Sequence, residues 1–304
     1  MPRTPLYLIT DYLLPQIRIL VAKRLREEGY SQLKIAQLLG VTQPAVKGYL
    51  ATNEVEAYRK LEDMGIPKEK ADSYVAEIAR VLKVSDVPSA MRYVTNWSLR
   101  VLSSLELCQF HRTLDPEVPK DCDVCKALYV KDEFEELKEA ALLLSNEAVT
   151  PLIPQVLSNL AYAKEDAIDI NDVAAFEGRI TKVRGVPTPA SSPAWGASVH
   201  LAKVLLRVRQ RDRKVRAVMN LKYDENVERT VRQLGMRFAV AGPQDWANDD
   251  EIADNVFAVY SPGTDVVFHL GGKGLEPITY VFGQDPKDVA RKVLEIARAY
   301  REIT

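Results

Sequence analysis

The stretch GYSQLKIAQLLGVTQPAVKGYL, residues 29–50, leaves the chain few ways to fold around it. Two short helices that cross steeply over a tight turn need a small residue in the first, a turn residue between them and apolar anchors in the second. Ala36 is the small contact, flanked by Ile35 and Leu39, and Gly40 suits the left-handed conformation that ends a helix. Val41 then fills the corner, Thr42 suits an N-cap, Pro44 sits in the first turn, and Val46, Tyr49 and Leu50 return the apolar face. The spacing therefore predicts a helix-turn-helix whose exposed side carries Gln43, Lys47 and Gly48. Glutamine pairs bidentately with adenine, and lysine suits guanine or a phosphate. On that chemistry Thr42, Gln43 and Lys47 are candidate contacts to double-stranded DNA, with Gln32 a donor to a phosphate. The plainer alternative is a helical hairpin whose Gln and Lys are merely solvated. Residues 1–50 carry seven Lys or Arg against three Asp or Glu, although the whole chain is at −1, which suits a local anion-binding face.

With 304 residues, 47% hydrophobic and 27% charged, the chain has enough apolar material for two or three domains. It has no apolar run of the ~20 residues that cross a bilayer, and its start lacks the sections of a secretory signal. A cytoplasmic location with no membrane partner is expected. A first helix is expected over about 15–28, covering the helix pair, with a helical pattern from 54 to 107 that includes segments near 68–82 and 88–107. Residues 108–125 read as a loop, followed by a helix over about 131–144. Beyond Phe176 short β-branched stretches (GRITKVRG, AVMNLKY, MRFAV, DVVFHL, PITYVFG) alternate with helical ones at about 198–208, 226–234 and 285–301. The expected organisation is a multidomain chain. An all-α helix-turn-helix domain (1–57) leads into a helical metal-binding connector (58–145) and then an α/β domain (146–304).

The connector reading rests on Cys108-x-x-His111 and Cys122-x-x-Cys125, two pairs of the spacing that wraps a tetrahedral ion. Three thiolates and one imidazole suit a structural Zn2+; iron at a mixed set, or three free thiols, are the alternatives. In the last half, the small-residue stretch 191–198 leads into a helix expected to begin near Gly196, whose free N–H groups would face an anion. Arg179 and Arg184, five apart on or beside one strand, would point to opposite faces, so that only one lines a pocket there. The basic run 203–216, seven positive residues against one Asp, reads as a solvated helix face, with contact to DNA or a partner subunit as the alternative.

Four segments, PQVLSNLAYA (154–163), GRITKVRGVPTPASSPAWGASVHLAKVLL (178–206), AVMNLKYDE (217–225) and GGKGLEPITYVFG (271–283), together resemble the ThiN-type thiamine-phosphate synthase domain. With the helix pair and cysteine-bearing segment before it, the arrangement resembles archaeal thiamine-responsive repressors. The resemblance implies Arg179 and His200 as a catalytic pair, Arg179 clamping phosphate and His200 exchanging a proton with a pyrophosphate leaving group. It implies a ligand pocket completed by Ser158, Asn159, Gly196, Ala197, Ser198, Asn220, Lys222, Gly274 and Glu276, with Glu276 facing an aminopyrimidine ring.

Active relatives carry an acidic residue and a Lys where this chain has Gly272 and Leu275, a departure that favours binding without turnover. The expectation is therefore a dimeric DNA-binding transcriptional regulator, a repressor of thiamine synthesis or uptake genes that senses thiamine phosphate or diphosphate. The alternative is an active synthase that joins hydroxymethylpyrimidine diphosphate to thiazole phosphate, with Mg2+. A third reading is a zinc-held adaptor that binds protein.

Overall fold

Apolar residues three and four positions apart build the first part of the chain. A computed structural model describes residues 4–129 and 132–303, and the chain divides into two units, Met1–Val130 and Lys131–Thr304. In the first, a π-helical turn over Leu8–Leu13 runs into α1 (Leu14–Glu27), whose Ile17, Leu20, Val21 and Leu25 are buried. The expected helix pair follows as α2 (Gln32–Leu39) and α3 (Gln43–Ala51). Ser31 accepts the Lys34 N–H and Thr42 the Ala45 N–H, so each start is capped by a side-chain oxygen. Gly40 stands between them at φ 64°, and Ile35, Ala36 and Val46 form the buried contact. Thr42, Gln43 and Lys47 are exposed and Gln32 is half-buried.

Helices α4 (Glu54–Asp63), α5 (Lys68–Val84) and α6 (Val87–Ser103) complete the helical core, with Asp86 capping α6 through the Ser89 N–H. The loop expected over 108–125 is partly helical. Cys108 opens α7 (Cys108–Leu114), and Cys125 lies in a 3-10 turn over Val124–Leu128. Among the described residues no group of three or more His, Cys, Asp or Glu is arranged to hold an ion, so the expected metal-binding connector is not shown. The His111 ring is buried edge-on against Tyr7, 5.8 Å between centroids, which turns it toward an aromatic neighbour. The thiols do feel one another. Burial, then the charges of Cys108 and Cys122, push the Cys125 thiol up to about 11.

The second unit opens with α8 (Glu133–Leu144); Lys131, where this helix was expected to begin, lies outside the described residues. Strands β1 (Leu160–Ala163), β2 (Val173–Phe176), β5 (Pro193–Trp195), β6 (Ala217–Lys222), β7 (Phe238–Ala241), β8 (Val266–His269) and β9 (Ile278–Gly283) form one sheet in the order β5-β2-β1-β6-β9-β8-β7. Every pairing in it is antiparallel except β7 with β8. GRITKVRG folds as the first arm of a separate hairpin, β3 (Ile180–Val183) with β4 (Val186–Pro189).

Side chains alternate across a strand, so each face of the sheet takes every second residue. Val218, Val267, Tyr280 and Phe282 share one buried cluster with α9 (Val199–Arg209) and α11 (Asp249–Val259). Their neighbours of opposite parity, Met219, Val266, Phe268 and Val281, are buried as well. That second face meets α8, α10 (Glu225–Gln233) and α12 (Pro286–Ile303), the last packing on α8, α10, β6 and β9.

The basic run 203–216 is largely absorbed inside this unit rather than left as a solvated face. Lys203 and Arg207 pair with Asp250 and Asp254 of α11 at 2.7 Å each, and Arg211 donates to the carbonyls of Phe257 and Tyr260. Arg209 is buried and donates to the carbonyls of Glu165, Arg213 and Val215.

Candidate active site

Helix α9 starts at Val199 and not near Gly196, because Gly196 takes φ 71° and Ser198 is extended at φ −132°. Ser198 makes no side-chain cap bond, so no side chain covers the first N–H groups of this eleven-residue helix. Such groups form a seat for an anion. They belong to the wall of a cavity of about 380 Å³ that is lined by Ser198, Val199, His200 and Leu201 of this turn. Ligand pockets commonly span this size. Facing contributions come from the loop before β1, from Arg179, and from Asn220, Asp249, His269, Gly274, Glu276 and Tyr280.

Arg179 is exposed at φ 69°, just before β3, and its Nη1 donates to the Val156 carbonyl. Arg184 sits in the β3–β4 turn at φ 49° and does not line the cavity. Only one of the two arginines reaches the pocket, as expected, but the reason is the hairpin turn and not strand alternation.

His200 is held from both sides. Its Nδ1 lies 2.7 Å from Asp249 Oδ1, at the first residue of α11, and its Nε2 lies 2.7 Å from the Tyr280 hydroxyl on β9. A carboxylate can only accept, so Nδ1 carries the proton and Nε2 accepts from the phenol. Burial, then the charge of Asp249, raises the Tyr280 phenol well above its ordinary value, which keeps it protonated. The ring's orientation, tautomer and exchangeable proton are thus fixed by two residues that sequence reasoning did not single out.

Several expected ligand contacts, Asn159, Asn220 and Glu276, line the cavity and also tie its loop together. Asn220 accepts the Asn159 N–H at 2.7 Å and donates to the Leu157 carbonyl at 2.9 Å. Asn159 donates to the Phe176 carbonyl at 2.8 Å and accepts from the N–H groups of Leu160 and Phe176. Glu276, expected at an aminopyrimidine, lies in the lining, and its two oxygens accept the N–H groups of Gln155 and Val156, at 2.9 Å each.

Lys222 does not line the cavity, since its amine reaches the Tyr300 hydroxyl at 2.7 Å and Asp224 at 2.8 Å. Ser158 is wholly buried in a bridge with Ile180, Ala197 packs on the core, and Gly196 lies beside Asn171; none of the three is in the lining. Gly274, at φ 78°, does line it. A Cβ there would come within 2.5 Å of the Trp246 ring.

The two departures near Glu276 also have packing causes. A Cβ on Gly272 would sit 2.2 Å from the Gln244 carbonyl oxygen, and Leu275 packs against the hydrophobic cluster. Neither residue therefore speaks for lost turnover.

A family model described as thiamine-phosphate synthase ThiN matches residues 136–295. The thiamine-phosphate synthase ThiN of Methanothermobacter thermautotrophicus is 27% identical over 186 residues, 56% of this chain and 95% of that protein. The bifunctional thiamine biosynthesis protein ThiDN of Methanocaldococcus jannaschii is 32% identical over 189 residues, 58% of this chain but 43% of that longer protein. The crystal structure of the C-terminal domain of protein MJ0236 superposes with a TM-score of 0.50 at 29% identity, over 58% of this chain and all of that one. These findings overturn the regulator expectation. The relatives are named for synthesis of the vitamin, and the synthase, first set down as the alternative, is the better supported reading.

Proposed function

The chain belongs to the thiamine-phosphate synthase ThiN family, and from that premise we propose that its sheet unit joins hydroxymethylpyrimidine diphosphate to thiazole phosphate. In this reaction the bond between the pyrimidine methylene and the diphosphate oxygen breaks, and its electron pair leaves with pyrophosphate. The thiazole nitrogen then forms the new C–N bond with its own lone pair. The developing negative charge lies on the leaving group, so groups that meet an anion at that point lower the barrier.

Arg179 and the uncapped start of α9 supply that charge complement in the lining of one cavity. Bound to Asp249 through Nδ1, His200 holds the Tyr280 hydroxyl through Nε2 and so fixes that polar pair in the lining where the pyrophosphate departs. Of the two carboxylates in the lining, Glu276 has both oxygens engaged by backbone N–H groups, which leaves Asp249 to meet a Mg2+ arriving with the diphosphate. When bound, that ion would neutralise charge on the departing pyrophosphate.

The observation that carries the proposal is the Asp249–His200–Tyr280 chain in the lining of the same cavity as Arg179. It is tested by following thiamine phosphate formation from both substrates with Mg2+, in the wild type and in His200→Ala. The expected result is turnover in the wild type and a fall of about 10²-fold or more in the variant. A wild type that forms no product, or a variant as fast as the wild type, removes the proposal.

A further inference from the structure

One face of α1 carries Leu14, Ile17, Arg18 and Val21, spaced i, i+3, i+4 and i+7 so that all four share a stripe. The stripe forms one wall of a cavity of about 490 Å³ in the first unit, larger than the one beside His200. Aliphatic residues of α5, of α6 and of the end of α2 complete the lining. On α6, Val87 and Met91 are 69% and 66% exposed, although both lie in that lining. Apolar surface kept in water beside a concavity of this size marks a place where an apolar body is bound. The family match starts at residue 136, so it does not reach this cavity.

Charge decides what kind of body. Among the described residues only Arg18 and Asp86 bring a formal charge to the lining. The Asp86 carboxylate is taken by the start of α6, where it accepts the Ser89 N–H at 2.9 Å. Arg18 is half-buried on an otherwise aliphatic stripe and, among the described residues, has no hydrogen-bond or ion-pair partner. A guanidinium has five N–H donors, no acceptor and a permanent charge, so the group that completes it must accept and, in aliphatic surroundings, must also carry the opposite charge. Partial removal from water strengthens that attraction over its value in bulk solvent. With one cation uncompensated, one negative charge suffices. We infer that this cavity binds a small organic monoanion, its apolar body against the stripes of α1 and α6 and its anionic group on Arg18.

The test titrates the full-length protein with two fluorescent probes, 8-anilinonaphthalene-1-sulfonate and its uncharged parent N-phenyl-1-naphthylamine, which share one apolar body and differ in the sulfonate. Arg18→Met keeps an apolar stem and removes the charge, and Arg18→Lys returns a cation. The wild type should bind the sulfonate about tenfold or more tightly than the parent. Sulfonate binding should weaken about tenfold or more in Arg18→Met and recover to within about threefold of the wild type in Arg18→Lys, while affinity for the parent changes by less than about twofold. In wild type carrying 13C in its methionine methyl groups, the Met91 signal, assigned by its loss in Met91→Leu, should shift on saturation with the sulfonate. The probe preference and the Met91 shift need no variant at position 18 to fold.

Equal affinity of the wild type for the two probes would make the cavity merely apolar and overturns the inference. So does unchanged sulfonate affinity in Arg18→Met, or a Met91 signal unmoved at saturation, which would put the probe elsewhere, the cavity around His200 included. None of these outcomes depends on turnover in the sheet unit.

Discussion

At the scale of single residues, the site depends on fixing one imidazole. Replacing Asp249 by Asn keeps the size of the side chain but removes the carboxylate that favours Nδ1–H, so the ring can present the wrong tautomer to Tyr280. Asp249→Asn should lower kcat about 10²-fold and, because the same carboxylate meets the Mg2+ of the diphosphate, raise KM for that substrate, while KM for the thiazole phosphate changes by less than about threefold, as steady-state kinetics would show. His269 leads to a pH prediction. Burial holds its folded-state value below the ordinary histidine value of 6.5, so the unfolded chain takes up a proton first as pH falls. Stability is therefore unaffected by this ring above that value and is lost as pH drops below it toward the folded value. Urea unfolding at pH 7 and pH 5.5 should show a smaller acid loss in His269→Gln than in the wild type.

Arg179 and His200 were legible because they fall in matched motifs, whereas their supports were not. Asp249 lies in the run NDDEI, which reads as an ordinary acidic helix start, and His269 lies in DVVFHL, which reads only as a buried strand.

Among the elements, the α2–α3 pair was the most legible, because its turn, caps and apolar anchors all follow from local chemistry. Its two glycines differ in their reasons. Gly40 takes a left-handed φ of 64°, while Gly48 lies within α3 with nothing inside 4 Å of an added Cβ. Gly40→Ala should destabilise the protein by about 1 kcal/mol and Gly48→Ala should stabilise it by about 0.5–1 kcal/mol, a pair of opposite shifts measurable by thermal or urea unfolding. Strands β1 and β2 were not legible. LAYA and VAAF are four residues long and buried throughout, so they show no alternation, and their alanines carry little strand preference. The helix Cys108–Leu114 was not legible for a related reason: CQFHRTL is two turns long, and the Pro and Asp residues that follow it give the whole stretch 108–125 the look of a loop.

For the molecule as a whole, the residues lining the cavity all belong to the unit Lys131–Thr304. The Methanothermobacter relative, matched over 95% of its length by 56% of this chain, is about the size of that unit. A fragment of residues 131–304 should therefore form thiamine phosphate with kcat within about threefold of the full chain, tested in the same assay. A tenfold or greater loss in a folded fragment would mean that the helical unit contributes to turnover. One carboxylate shows how tightly that unit is wired internally. Glu276 secures the amides of Gln155 and Val156, 121 and 120 positions earlier, and the Val156 carbonyl in turn receives Arg179. The cation that meets a phosphate is thus aimed by a residue from the far end of the unit's sequence. A change at position 276 that released those amides would therefore be felt as a misdirected guanidinium, 97 positions earlier in the chain.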